Sequence, residues 1–162
     1  MQNVLVIGGA GFIGSHLIDV LVQEPINVYV YDNFSTGRKE FLTEKFNLFE
    51  QVGNILDVKS LDAIFRNVKP EHVYHLAALH HIPTCELNPE FALEVNIIGT
   101  QNVLRCCVEH KVQKVILAST GGIYDIKEEA LSETDTLQPK DIYTISKLAC
   151  ENLLRYYANK HE

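Results

Sequence analysis

Residues 3–14 read Asn3-Val-Leu-Val-Ile-Gly-Gly-Ala-Gly-Phe-Ile-Gly14, and the change of pattern at Gly8 decides how the chain folds. Asn3–Ile7 is a short apolar run rich in β-branched residues, which suits a buried strand. Glycines come next at Gly8, Gly11 and Gly14, and Ile13, Leu17, Val20 and Leu21 then recur at helical spacing within Phe12–Gln23. The stretch predicts strand, tight loop, helix. The first glycine permits a sharp turn, the second lets a ligand approach the backbone, and the third lets helix and strand pack closely. The start of the helix offers unpaired N–H groups and a partial positive charge to an anion. Taken alone, the three glycines are a weak signal, because a plain strand-to-helix turn uses them too.

The residues beyond the helix narrow the choice. A second branched run, Asn27–Tyr31, ends at Asp32 and closes a strand–helix–strand unit. A carboxylate at that strand end accepts the hydroxyl protons of an adenosine ribose, while the glycine loop receives the pyrophosphate. A 2′-phosphate would meet Asp32 as a like charge, so NAD is favoured over NADP. Arg38 and Lys39 lie too far along the chain to reverse this.

Further apolar runs at Leu48–Val52, His72–Leu76 and Lys114–Ala118 are continuous rather than alternating, as expected of strands covered on both faces. Helical stretches lie between them. The longest, Pro89–His110, carries Phe91, Val95, Ile98, Asn102 and Cys106 on one stripe, and a last helix spans Tyr143–Asn159. The polar stretch Tyr124–Ile142 reads as a long loop beside the site. Strands alternating with helices predict an α/β fold, a Rossmann-like doubly wound parallel sheet of order 3-2-1-4-5, with residues 1–162 as one domain.

Composition agrees with a globular chain: 162 residues, 46% hydrophobic and 22% charged. A formal net charge of −7 argues against nucleic-acid phosphate or an anionic membrane surface as the main partner. No apolar run is long enough for a transmembrane helix. Cys85, Cys106, Cys107 and Cys150 show no CxxC spacing and no leader precedes the first strand, which points to a reduced, cytoplasmic setting and to buried thiols. His80 and His81 are adjacent, but no further ligand lies at suitable spacing, so they read as loop or pocket lining and no metal is expected.

A second constellation lies downstream. Tyr143 and Lys147 are one helical turn apart and project from one face. An ammonium beside a phenol favours the phenolate, lowering the tyrosine towards neutral and making it a base for a hydroxyl proton. By itself the pair is equally a solvated helix face. Thr120, just past the fifth strand, supplies a third polar group at the same sheet edge, and convergence of three makes chance a poor explanation.

At this point the sequence resembles the extended short-chain dehydrogenase/reductases, and among them the NAD-dependent nucleotide-sugar epimerases and dehydratases. The resemblance rests on Gly8-Gly-Ala-Gly-Phe-Ile-Gly14, Asp32-Asn-Phe-Ser-Thr-Gly37, His75-Leu-Ala-Ala78, Asn96-Ile-Ile-Gly-Thr-Gln-Asn102, Ala118-Ser-Thr120 and Tyr143-Thr-Ile-Ser-Lys147. It implies that Gly8, Gly11, Phe12, Ile13 and Gly14 hold the pyrophosphate and that Asp32, Asn33, Ser35, Thr36 and Gly37 surround the adenosine ribose. Asn54 and Ile55 flank the adenine, and Leu76, Ala77 and Ala78 form the adjoining wall. Asn96 supports the end of the fourth strand beside the cofactor, Ser119 neighbours Thr120, and Lys147 binds the nicotinamide ribose. The chain departs from the pattern at Asn54, where Asp is common, at Ile7, at Asp125 after Tyr124, and at Ile142.

The activity so implied starts with Tyr143 taking a sugar hydroxyl proton while hydride passes from that carbon to NAD. Dehydratases of the family carry Asp-Glu directly after the catalytic Thr, and a related decarboxylase has Glu at the second of those positions; here both are glycine, Gly121 and Gly122. The resemblance thus favours a 4-epimerase of nucleotide sugars, UDP-sugars first, ahead of a dehydratase or reductase or a non-catalytic NAD-binding module. Relatives continue into a C-terminal, substrate-binding region, so this chain reads as the N-terminal NAD-binding part, lacking the C-terminal strands and substrate domain and inactive alone. The family also implies a homodimer through the helices at 89–110 and 143–159, and an unpaired fifth strand offers a second route to association.

Overall fold

β1 (Gln2–Ile7), β2 (Ile26–Asp32), β3 (Leu48–Val52), β4 (His72–His75) and β5 (Lys114–Leu117) form one parallel sheet in the order β3-β2-β1-β4-β5. This is the order expected from right-handed crossovers. The computed structural model describes residues 1–42, 47–125 and 127–161; Ile126, within the expected loop, and Glu162, the last residue of the expected domain, lie outside them. Ile7 pairs with both Tyr31 and His75, so the first, second and fourth strands end level at one edge of the sheet. The ligand crevice of a doubly wound sheet opens at that edge.

The unbroken apolar run of β1 feeds two cores, because successive side chains point to opposite faces. Leu5 and Ile7 join Leu61, Ile64 and Phe65 of α2 (Val58–Val68) and Val103, Cys106 and Cys107 of α5 (Gly99–Glu109). Val4 and Val6 join Val28, Val30 and Ile18 of α1 (Phe12–Leu21) on the other face. Only the inner strands are covered on both faces as expected. β3 and β5 are the sheet's margins, and there Phe49 and Val52 are exposed and Val115–Leu117 only half-buried.

Between β4 and β5 the chain is helical in more pieces than periodicity suggests. α3 (Ile82–Leu87) follows His81, in a stretch to which periodicity assigns no element, and α4 (Pro89–Leu93), a π-helical turn (Glu94–Ile98) and α5 then run on as one continuous rod. A π turn holds an extra residue and shifts every face beyond it. The predicted stripe therefore splits: Asn102 and Cys106 are buried, whereas Phe91 is 51% and Ile98 47% exposed. Asn96 turns inward instead. Its Oδ1 accepts from the Leu79 N–H at 2.7 Å, and its Nδ2 donates to the Leu79 carbonyl at 3.0 Å and to Ser146 Oγ at 2.9 Å.

That last bond reaches α6 (Ile142–Lys160), which packs against α3, α4 and α5. Asp141 caps it, accepting from the Thr144 N–H at 2.8 Å, while Thr144 Oγ1 accepts from the Asp141 N–H. Glu86 of α3 accepts from the Ile142 N–H at 2.9 Å. The polar stretch before the helix is pinned by a bridge between Tyr124 and Leu137 and by the Gln138 N–H donating to the Ile123 carbonyl. All four cysteines are free and buried. No helix among the described residues is long and apolar enough to cross a membrane.

Two of these contacts make measurable contributions to stability. Asn96→Ala leaves the Leu79 N–H without its acceptor and the Leu79 carbonyl with only the Cys85 thiol as donor, at 3.4 Å, so urea denaturation should register a loss of about 2 kcal/mol, against less than about 1 kcal/mol if water replaces the amide freely. Asp62 on α2 accepts from His110 Nε2 at 2.8 Å and pairs with Arg66, and His110 first, then Arg66, holds its carboxyl below the usual range. A carboxyl that titrates lower when folded stabilises fully above about pH 4 and loses that contribution as the pH falls through the folded value. Melting temperatures of the parent and Asp62→Asn should therefore differ most near neutrality and converge towards pH 3.

Candidate active site

The glycine loop is shaped by contact with its neighbours. Gly8 has φ of +81°, and a Cβ there would lie 2.4 Å from the Ala77 nitrogen. A Cβ on Gly14 would lie 2.5 Å from the Gly8 carbonyl oxygen, so the third glycine lets α1 close onto the turn. At Gly11 the nearest such atom is 3.4 Å away, which leaves its outer side open. These three environments match the division of labour expected for turn, approach and packing.

Asp32, 9% exposed at the end of β2, has both carboxylate oxygens in use. Oδ2 accepts from the Ala10 N–H at 2.9 Å and Oδ1 from the Phe34 N–H at 2.8 Å. It thus ties the glycine loop to the segment after β2, a structural task that its position at a strand end does not signal. Each oxygen keeps a further lone pair for a hydroxyl donor. Asn33 then accepts from the Ser35 N–H at 3.0 Å, a short side-chain turn that sets Ser35, Thr36 and Gly37 beside it.

A single cleft of about 530 Å³ runs along the sheet edge. Asn54 and Ile55 line it beyond β3, Asp32, Asn33, Ser35, Thr36 and Gly37 at the end of β2, and Gly8, Gly11, Phe12, Ile13 and Gly14 beyond β1. Leu76, Ala77 and Ala78 form the wall beyond β4, and Ser119 beyond β5 with Tyr143 and Lys147 of α6 the far end. Asn54 spends its Oδ1 on the Leu56 N–H at 3.0 Å. Two expected residues are not on this wall. Asn96 lies beneath it with its amide engaged by Leu79 and Ser146, so its reach is to the wall's support rather than to a ligand. Thr120 lines an adjoining hollow of about 320 Å³ with Gly121, Gly122 and Tyr124; Tyr143 borders both spaces.

His80 lines the cleft, as its position after β4 suggested, and so do Phe91 and Val95. Periodicity gives Phe91 and Val95 a place on one helix stripe, but it does not say that this part of the stripe borders a cleft. Tyr31 also reaches the cleft, its hydroxyl donating at 3.0 Å to Ser60 Oγ. Its place within an apolar strand run gives no signal of that.

Lys147 is 4% exposed and makes no hydrogen bond or ion pair with the described residues, yet it faces the cleft; burial lowers its pKa. With no acceptor among the described residues, its ammonium is left to donate into the cleft, to water or to a ligand. Tyr143 departs from expectation. Burial pushes its phenol up, with Cys85 and Asp141 adding to the rise, and Lys147 does not offset them. The half-buried phenol is not hydrogen-bonded to the lysine, so desolvation prevails over the lowering expected from sequence spacing. Behind the pair, His75 is fully buried, held at about 3 by burial and by Lys147, and therefore neutral, with Nε2 2.9 Å from Thr100 Oγ1. Among the described residues no group of His, Cys, Asp or Glu is placed to hold a metal ion.

Comparison with known proteins agrees with this geometry. Residues 4–162 match the model of the NAD dependent epimerase/dehydratase family. The chain is 32% identical over 156 residues to a putative UDP-glucose 4-epimerase of Methanocaldococcus jannaschii, covering 95% of this chain and 50% of that protein. It superposes on the UDP-glucose 4-epimerase of Thermotoga maritima, solved with UDP-glucose, with a TM-score of 0.93 at 35% identity, covering 99% of this chain and 52% of that one. The Thermus thermophilus UDP-glucose 4-epimerase, solved with NAD, gives 0.92 at 34% identity, with the same two coverages of 99% and 52%. The chain spans about half the length of the relatives it matches. With the glycine loop, Asp32 and the Tyr143–Lys147 pair on one cleft, and a family match across nearly every residue, the chain belongs to the NAD-dependent epimerase/dehydratase family.

Proposed function

We propose that this chain is the NAD-binding domain of a nucleotide-sugar 4-epimerase, with a UDP-sugar as the favoured substrate. The observation that carries the reading is the continuity of one cleft from Asp32 and the glycine loop to Tyr143 and Lys147. The residues present suit a dinucleotide: open backbone at Gly11, acceptors on Asp32, and at the opposite end a lysine ammonium that no described residue hydrogen-bonds. Bound NAD would take up hydride from the sugar carbon and return it to the opposite face. Tyr143 would accept the hydroxyl proton as that carbon is oxidised, Lys147 would hold the nicotinamide ribose and favour the phenolate, and the Thr120 hydroxyl would orient the substrate oxygen. Thr120 Oγ1 accepts from the Gly122 N–H at 3.2 Å and so keeps its own proton to donate.

The glycines at 121 and 122 argue for epimerisation over dehydration, since loss of water needs a further acid and base at this point. The names of the relatives, mostly UDP-glucose 4-epimerases, support the same choice. Residues 1–162 supply the cofactor wall, and we expect them to bind NAD without turnover. Exposed Ile98 on the rod and Ile145 and Tyr156 on α6 give an apolar face for a homodimer through these helices.

Calorimetry of the chain with NAD should give saturable binding that Asp32→Ala weakens at least about tenfold and Tyr143→Phe leaves nearly unchanged. No heat at millimolar NAD contradicts the reading. For the dimer, light scattering should report twice the monomer mass, and Ile98→Glu with Ile145→Glu should return the monomer; a parent that is monomeric at high concentration refutes it.

A further inference from the structure

The Tyr143–Lys147 end of the cleft is assembled from two elements, α6 and the segment leaving β5 with Ser119 and Thr120. Among the described residues, one side-chain hydrogen bond joins residues 114–123 to α6: Ser119 Oγ donates to Glu151 Oε1 at 2.5 Å. Glu151 stands one helical turn beyond Lys147, on the helix face that carries Tyr143 and Lys147, since i and i+4 positions lie above one another. Its second oxygen accepts from Arg155 at 2.9 Å, and Arg155 also donates to Asn152. The Glu151 side chain is 20% exposed, against 61% for its partner Arg155.

We infer that Glu151 is a positioning residue of this site, fixing the Ser119–Thr120 segment against α6 and serving as the nearby counter-charge of the buried Lys147 ammonium. Geometry supports the first part: Ser119 lines the cleft with Lys147, and Thr120, the next residue, shares the adjoining hollow with Tyr143. Without the carboxylate the two elements meet there through packing alone. The second part rests on the surroundings of Lys147. The titratable groups facing it are His75 from β4, which is neutral, Cys150 and Glu151 from its own helix, and Tyr143 one turn before it. Burial disfavours the ammonium, and Cys150 first, then Glu151, act in the opposite sense. A base that relies on a charged lysine beside it depends on that opposition. The inference rests on reading Tyr143 and Lys147 as the working pair, but its test is made on the free chain, so failure to bind NAD and failure of this assignment are separate results.

The test is an NMR titration of lysine side chains labelled with ¹³C at Cε, with the Lys147 signal assigned by its loss in Lys147→Arg. Glu151→Gln keeps an oxygen for Ser119 and removes the charge, and should lower the Lys147 midpoint by about half a pH unit to one unit. Arg155→Gln removes a cation from the carboxylate's other side and should raise the midpoint, a change of opposite sign that loosened folding would not produce. Ser119→Ala should leave the midpoint in place while hydrogen exchange at Ala118, Gly122 and Tyr124 quickens. A Lys147 midpoint that Glu151→Gln leaves unmoved, or that Arg155→Gln lowers, overturns the counter-charge. Unchanged exchange in Ser119→Ala overturns the clamp.

Discussion

The carboxylate of Asp32 is the interaction on which the cofactor end of this molecule depends. One oxygen takes the Ala10 N–H inside the glycine loop, the other the Phe34 N–H beyond β2. A charged acceptor of two backbone donors is stronger than a neutral one and fixes two loops with a single side chain. Because Gly8 presses on Ala77 as well, the loop is held from β2 on one side and from the end of β4 on the other. The same oxygens retain capacity for hydroxyl donors, so the group that shapes the loop is also the one that would read a ribose. Substitution there changes shape and recognition together.

The opposite end depends on a single helix held from three directions. Asp141 and Thr144 cap α6, Glu86 takes its first N–H, and Asn96 reaches it through Ser146, which in turn donates to the Tyr143 carbonyl at 2.7 Å. These contacts fix the rotation of the helix, and rotation decides whether Tyr143 and Lys147 face the cleft. Asn96 sits in the π turn, where one extra residue swings its amide inward. Functional geometry here comes from a departure from regular helix.

Much of this is legible in the sequence. The strand–glycine–helix opening, the carboxylate closing the second strand and the alternation of strands with helices lead to sheet order 3-2-1-4-5, and the glycine spacing matches the contacts found. Local pattern cannot reveal the π turn, because an inserted residue breaks the periodicity that places Phe91 and Ile98 on the core stripe. Nor can it foresee α3, which is too short to have a period of its own. The exposure of β3 and β5 depends on which strands lie at the margins, a property of the whole sheet. The rise in the Tyr143 pKa has the same origin: spacing brings a lysine near, but burial, a tertiary property, determines the sign.

The central claim is that one dinucleotide spans the cleft from Asp32 to Lys147. A crystal structure of the chain with NAD tests it most directly. The account predicts the pyrophosphate against the backbone N–H groups that open α1, the adenosine ribose on the Asp32 carboxylate and the other ribose on the Lys147 ammonium. A dinucleotide bound with Asp32 and Lys147 untouched, or lodged in the hollow beside Tyr124, would contradict it.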